Sequence, residues 1–350
     1  MAKQFIAEQA NIDLPPEAMD ISNIEVMDIS IGDLHGNALK LLYFLTRQSI
    51  VSLSDKHYTR MVEVYKTPAT NVTSSLLAEF KGLIDSMEII NHCSLIRFIG
   101  DELGDRGAND YYVLEILRKL TQDKANIEIL ISNHGMEFIE GYERFHERNN
   151  TFGTTLMGKF AISLMMLGDI VSRGLIASDY IFDIINTCYK PHLKLISHTL
   201  DLKNSGITLF SHAGIDLNTV FLLTKKFDLE FNDKTPMGLA LTINNLNQQF
   251  QLLVQKNQLH QLYNAKNIYV GFESSKLRAD NAFEFVLWNR HYDRLQRMDK
   301  HNGYAMSYVH GHDSDDETRG NIYNLDNLLG KSALLHKHRY TVLVSDEVAL

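Results

Sequence analysis

Residues 24–37, IEVMDISIGDLHGN, contain an apolar stretch, Ile24–Ile31, that reads as a β-strand and ends in the tight polar turn GDLHGN (32–37). Ala38–Ile50 then places Leu39, Leu42, Phe44 and Leu45 at helical spacing. The same unit recurs twice. Leu95–Ile99 is a short apolar strand, GDELGDRG (100–107) its turn and Asn109–Leu120 its helix. Ile127–Ile131 leads through SNHG (132–135) into a helix from Met136 to about Arg148. Strand, polar turn and helix three times over predict an α/β fold with parallel strands. In such sheets ligands gather at the carboxyl ends of the strands, where these turns lie.

Two later apolar strands also end in polar turns: Ile207–Phe210 before SHAG, and Ala305–Val309 before HGHD. NIYNLDN (321–327) and RYTVLVS (339–345) read as further strands. Helical stretches are expected at about 51–92, 151–204 and 216–280, as insertions in a single domain spanning 1–350. Among them, Asp179–Leu200 (interrupted by Pro191) and Leu239–Tyr263 are amphipathic, as helices packed on sheet faces are.

The whole chain has 350 residues, 45% hydrophobic and 22% charged, which is globular composition and excludes disorder. The apolar run Ala161–Leu167 is far too short to cross a bilayer, and the first twenty residues carry no secretory pattern. Two cysteines, Cys93 and Cys188, exclude a disulfide framework and suit a reduced, cytoplasmic setting. A net charge of −9 argues against nucleic acid as a partner, because neutralising a phosphate backbone takes a basic surface. The unusual count is 15 His, which directs attention to metals and proton transfer.

Five strand ends each deliver Asp, His or Asn: Asp33 and His35, Asp101, Asn133 and His134, His212, and His312. Turn chemistry accounts for Asp or Asn at one or two of them. It does not account for the histidines that dominate the later ones. Carboxylate, imidazole and amide oxygen together suit borderline divalent ions such as manganese, iron or zinc. Six candidate ligands exceed what one ion with open positions needs. Two ions about 3.5–4 Å apart, sharing a bridging carboxylate, hold a nucleophilic hydroxide and clamp the oxygens of a phosphoryl displacement.

In this order, GDLHGN, GDELGDRG, NH (133–134), HAG (212–214) and GH (311–312) resemble the motifs of the calcineurin-like metallophosphoesterases. More narrowly they are similar to the phosphoprotein phosphatases, with patterns GDxHG, GDxVDRG, GNHE, HGG and a late GH or AH. The resemblance spans residues 24–325 and implies that family's fold of central β-sheets flanked by helices. It implies Asp33 and His35 on a first metal, Asp101 as the bridge, and Asn133, His212 and His312 on a second. Manganese is the expected ion, with iron, zinc or magnesium as alternatives. Arg106 and Asn133 would contact the substrate phosphate, and His134, oriented by Asp105, would protonate the leaving oxygen. VLWNRHYD (286–293) is similar to the family's Leu-Trp stretch near a second phosphate-binding arginine, making Arg290 that residue.

Several departures narrow the resemblance. Gly104 adds one residue between Asp101 and Arg106. SNHG replaces GNHE, so the carboxylate of that block is lost or comes from elsewhere, with Glu137 as a substitute. HGG reads HAG, and the SAPNY loop of the eukaryotic enzymes is absent. These features resemble the divergent Wip group of effector phosphatases that intracellular bacterial pathogens deliver into host cells. The expected activity is a metal-dependent phosphoprotein phosphatase for phosphoserine and phosphothreonine, with phosphotyrosine as a further substrate. The alternatives are a dinucleoside polyphosphate or nucleotide hydrolase sharing the metal core, and a non-catalytic scaffold. Oligomeric state is not legible.

Overall fold

The computed structural model of the chain describes residues 3–19, 28–92, 94–148, 161–264, 277–290, 295–314 and 318–349. In chain order its strands are β1 (Gln4–Asn11), β2 (Asp28–Ile31), β3 (Val51–Ser52), β4 (Glu88–Ile89), β5 (Leu95–Phe98), β6 (Ile127–Leu130) and β7 (Leu193–Lys194). They continue as β8 (Ser197–Asp201), β9 (Gly206–Phe210), β10 (Lys300–His301), β11 (Tyr304–His310), β12 (Ile322–Asn324) and β13 (Lys337–Ser345). The helices are α1 (Ala38–Arg47), α2 (Asp55–Tyr65), α3 (Ser74–Asp85), α4 (Asp110–Gln122) and α5 (Asn133–Arg148). After them come α6 (Ile162–Ser172), α7 (Ser178–Ile184), α8 (Leu217–Lys226), α9 (Pro236–Gln255) and α10 (Ala282–Trp288).

The first sheet has the order β1-β13-β2-β5-β6-β7. β2, β5 and β6 run parallel, as the repeated units predict, β7 extends the parallel run, and β13 enters antiparallel between β1 and β2. The second sheet has the order β10-β11-β9-β8, with β12 added parallel to β11. β9 and β11 are parallel neighbours, so their carboxyl ends lie together. An apolar cluster of Ile99, Leu130, Phe210, Val309, Leu325 and Leu343 draws on both sheets and joins them. Arg97 of β5 is fully buried at the same junction, with its guanidinium 3.8 Å from the Phe210 ring centre. Its Nη1 donates to Asp28, and its Nε to Glu128 at 3.2 Å and Ser197 Oγ at 3.0 Å.

The helices that follow site turns are capped by residues of those turns. The Asn37 side chain accepts from the Leu39 and Lys40 amides and starts α1; Asn109 accepts from Tyr111 and starts α4. Ser132 does the same for α5, accepting from the Gly135 amide at 2.8 Å and from the Asp101 amide at 2.9 Å. The departure from GNHE at this position therefore fastens two site turns to each other.

The stretch 151–204 is not helical throughout. Beyond α7 a wide turn ends at Pro191, which has no amide to continue a helix, and β7 and β8 follow. His198 is consequently a strand residue in β8, paired across to Leu209 of β9. The stretch 51–92 holds α2 and α3, closed off by the short β3–β4 ribbon. In 216–280, α8 and α9 are followed by residues 265–276, which lie outside the described residues, as does Cys93. Among the described residues no helix is long and apolar enough to cross a membrane.

Candidate active site

Five strand ends (β2, β5, β6, β9 and β11) deliver side chains to one buried point. His35, Asp101 and His312 all have left-handed backbone, with φ of 56°, 52° and 69°. Such conformations cost of order 1–3 kcal/mol each in non-glycine residues and persist where the surroundings enforce them. At Gly311 a side chain is excluded outright, because a Cβ there would lie 2.1 Å from Asp33 Oδ1. That close approach lets the His312 amide donate to both oxygens of Asp33, at 3.0 and 3.1 Å.

His212 lies at the centre. Its Nδ1 contacts the Ile99 carbonyl at 3.0 Å, which fixes the proton on that nitrogen. Its Nε2 then presents a lone pair, 2.7 Å from Asn133 Oδ1, 3.1 Å from His312 Nδ1 and 3.6 Å from Asp101 Oδ1. His35 is oriented similarly. Its Nε2 lies 2.8 Å from the Asn327 carbonyl oxygen and 3.6 Å from Asp326 Oδ1, and its Nδ1 lies 3.4 Å from Asp105 Oδ2. The structure thus brings Asp33, His35, Asp101, Asn133, His212 and His312 together.

Burial and mutual repulsion dominate the electrostatics. Burial, then Asp326 and Asp101, push the Asp33 carboxyl well above the usual carboxylate range. Burial would raise Asp101 too, but His212, His134, His312 and His35 outweigh it and hold it low. Burial lowers the His212 and His312 imidazoles, keeping both neutral as metal ligands must be. Four buried atoms here have no hydrogen-bond partner: His35 Nδ1, Asp105 Oδ2, His312 Nε2 and Asp326 Oδ1. Within each of the sets Asp33–Asp101–His212, His35–Asp101–Asp105 and Asp33–His35–Asp326, one ligand atom per residue lies within 4.8 Å of the others. Converging lone pairs, neutral imidazoles and unpartnered oxygens are the donor set that divalent cations fill.

His134 sits beside this cluster on the first turn of α5. Its Nδ1 donates to the Gly104 carbonyl at 2.9 Å, and its Nε2 lies 3.3 Å from Asp105 Oδ1. Burial lowers its pKa, but Asp105 and then Asp101 outweigh burial, and the net shift is upward. The added Gly104 is absorbed by a turn (φ 71°) whose amide donates to Asp110 and whose carbonyl holds His134. Arg106 donates to Asp105 at 2.6 Å with its side chain 34% exposed, leaving the guanidinium reachable from solvent. Arg290, 45% exposed, lies 3.8 Å from Asp313 Oδ1, one residue beyond His312. The rest of that motif, 291–293, lies outside the described residues.

Four residues of the site escape sequence reasoning. Glu102, not Glu137, occupies the space beside Gly135: its Oε1 lies 3.2 Å from where a Cβ would stand, and it accepts from Tyr189 at 2.5 Å. Glu137 instead accepts from Tyr263. Lys40 is buried in α1, donating to the Asp33 carbonyl at 2.5 Å and to Asn327 Oδ1 at 3.1 Å. Asp326 and Asn327 follow β12, a sixth strand ending in Asp and Asn, the same signal that marks the other five.

Residues 95–331 match the family model described as WipA-like, phosphatase domain. Among solved structures, the phosphatase domain from the Legionella effector WipB is similar, with a TM-score of 0.76 and 34% sequence identity. That likeness covers 82% of this chain and 99% of the WipB domain. Among curated proteins none matches. The chain belongs to the WipA-like phosphatase-domain family, within the Wip group of bacterial effector phosphatases that its motifs resemble.

Proposed function

We propose that this phosphatase is a metal-dependent phosphomonoesterase of the calcineurin-like, phosphoprotein phosphatase type, acting on phosphorylated proteins of a host cell. In this reading Asp33 and His35 hold one divalent cation, Asn133, His212 and His312 hold a second, and Asp101 bridges them. Manganese is the expected ion; iron, zinc or magnesium suit the same donors. The observation that carries the reading is that His212 Nε2, left with a lone pair, stands 2.7 Å from Asn133 Oδ1, two acceptors side by side as neighbouring ligands of one cation are.

When bound, the two cations supply charge neutralisation at the phosphoryl oxygens and a water acidic enough to attack at neutral pH. The chain's own residues do the rest. Arg106 and Arg290 hold the phosphate in the fork geometry suited to its oxygens, giving an acidic protein a locally cationic mouth. His134 donates the Nε2 proton to the leaving oxygen. The Gly104 carbonyl keeps its other nitrogen protonated, and Asp105 favours the charged imidazolium.

The test strips the protein with a chelator, restores manganese and follows p-nitrophenyl phosphate, phosphopeptides and diadenosine tetraphosphate. Turnover of phosphopeptides that disappears with the metal and returns with it is expected. Hydrolysis indifferent to chelation would sink the metal assignment. Preference for the dinucleotide would replace the protein substrate, and an inert protein with manganese bound would leave only a scaffold.

A further inference from the structure

The six ligands implied by the sequence motifs do not include Asp326, whose side chain is 3% exposed in the turn after β12. Its Oδ1 has no hydrogen-bond partner and lies 3.6 Å from His35 Nε2. Asp33, His35 and Asp326 each offer a ligand atom within 4.8 Å of the other two. With metal–ligand bonds of about 2.1 Å, ligand atoms stand about 3 Å apart when adjacent and about 4.3 Å apart when opposite, so one ion can span this set. We propose that Asp326 is a direct ligand of the cation held by Asp33 and His35, a seventh protein ligand of the centre. The inference rests on the two-cation reading above.

The turn is built to present this carboxylate. The Asp326 amide donates to Asn324 Oδ1 at 3.0 Å. The neighbouring Asn327 side chain donates to Thr341 Oγ1 at 2.7 Å and accepts from the Leu329 amide at 3.0 Å. Both flanks are therefore tied down while Asp326 Oδ1 is left without a donor. The competing role is counter-charge to the buried Lys40. The Lys40 ammonium, however, donates to the Asp33 carbonyl and Asn327 Oδ1. A second consequence follows from donor type. With Asp326 the first position is rich in carboxylate, against an imidazole-rich second position, and harder oxygen donors favour manganese or magnesium there.

The experiment compares the whole wild-type chain with Asp326→Asn, and with the smaller Asp326→Ser in case the amide is not accommodated. Each is stripped, then titrated with manganese alone by calorimetry, with elemental analysis and melting curves before and after metal. Wild type should bind two ions. The variants should keep one, with affinity for the other reduced at least about tenfold. Their metal-free melting temperature should hold or rise, because a like charge beside Asp33 is removed, while the rise on adding manganese shrinks. Two ions bound within twofold of wild-type affinity would overturn the assignment. So would a lowered metal-free melting temperature with the manganese-induced rise intact, which is the signature of a Lys40 counter-charge. Failure of the wild type to bind manganese would instead remove the two-cation reading itself.

Discussion

Nε2 of His134 lies 3.3 Å from Oδ1 of Asp105, and Arg106 donates to that same oxygen at 2.6 Å. One buried carboxylate thus ties the proton-carrying imidazole to the arginine that reaches solvent. His134→Ala should keep its metal content but lose about 10²–10⁴ in kcat on phenyl phosphate, whose leaving group needs a proton. The loss on p-nitrophenyl phosphate should be much smaller. Equal losses on both esters would remove the general-acid role.

Asp101 sits between the two ligand sets, 3.6 Å from His212 and with its amide held by Ser132. Asp101→Asn keeps the shape and deletes the charge. Elemental analysis should find the metal gone along with the activity, and a variant retaining two ions would contradict the bridging role.

A Cβ at Gly104 would meet the His134 carbonyl oxygen at 2.7 Å, and the residue sits at φ 71°. Gly104→Ala should destabilise the protein by about 1–3 kcal/mol. It should also depress kcat more than KM, since the turn that moves is the one holding the His134 ring. Denaturant melts and steady-state kinetics read the two effects separately.

Arg97 is the buried cation between the sheets, facing Asp28 and Glu128. Burial raises the Glu128 carboxyl, yet Arg97 and Lys194 outweigh burial and hold it at about 2. Arg97→Met leaves the buried Asp28 uncompensated and Glu128 with Lys194 alone, and should cost about 3–5 kcal/mol in chemical denaturation. Adding Asp28→Asn and Glu128→Gln should restore much of that loss.

His198 is buried in β8 with no partner for Nε2. Burial pushes its pKa down to about 4, with Arg97 and Lys194 adding to the effect and Glu128 opposing it. The unfolded chain, with an ordinary imidazole near 6.5, therefore binds the proton more readily between those values. Its stabilising share is complete above pH about 6.5 and fades as pH falls to about 4, a change on the order of 3 kcal/mol. His198→Leu should flatten the melting temperature across that window.

The parallel strands and five of their site turns were legible because each is local: an apolar run, then glycine with Asp, His or Asn. β8 was not, since Ser197–Asp201 follows a helix and Pro191 with no turn signal strong enough to separate them. Lys40 reads as an ordinary position on an amphipathic helix, and only the fold puts it beneath Asp33. Glu102 is hidden likewise, because its place beside Gly135 depends on Tyr189, distant in sequence. Asp326 carries the strand-end signal, but the stretch 321–327 reads as strand to its last residue, which hides the turn after β12.

β13 is inserted between β1 and β2, although it is the last strand of the described chain. During synthesis its two neighbours emerge long before it, each with a bare ladder of amides and carbonyls. No nascent fragment ending before residue 337 can close that sheet. Closure of the sheet therefore waits for residues 337–345, and any truncated product lacking them carries open edges vulnerable to intermolecular pairing.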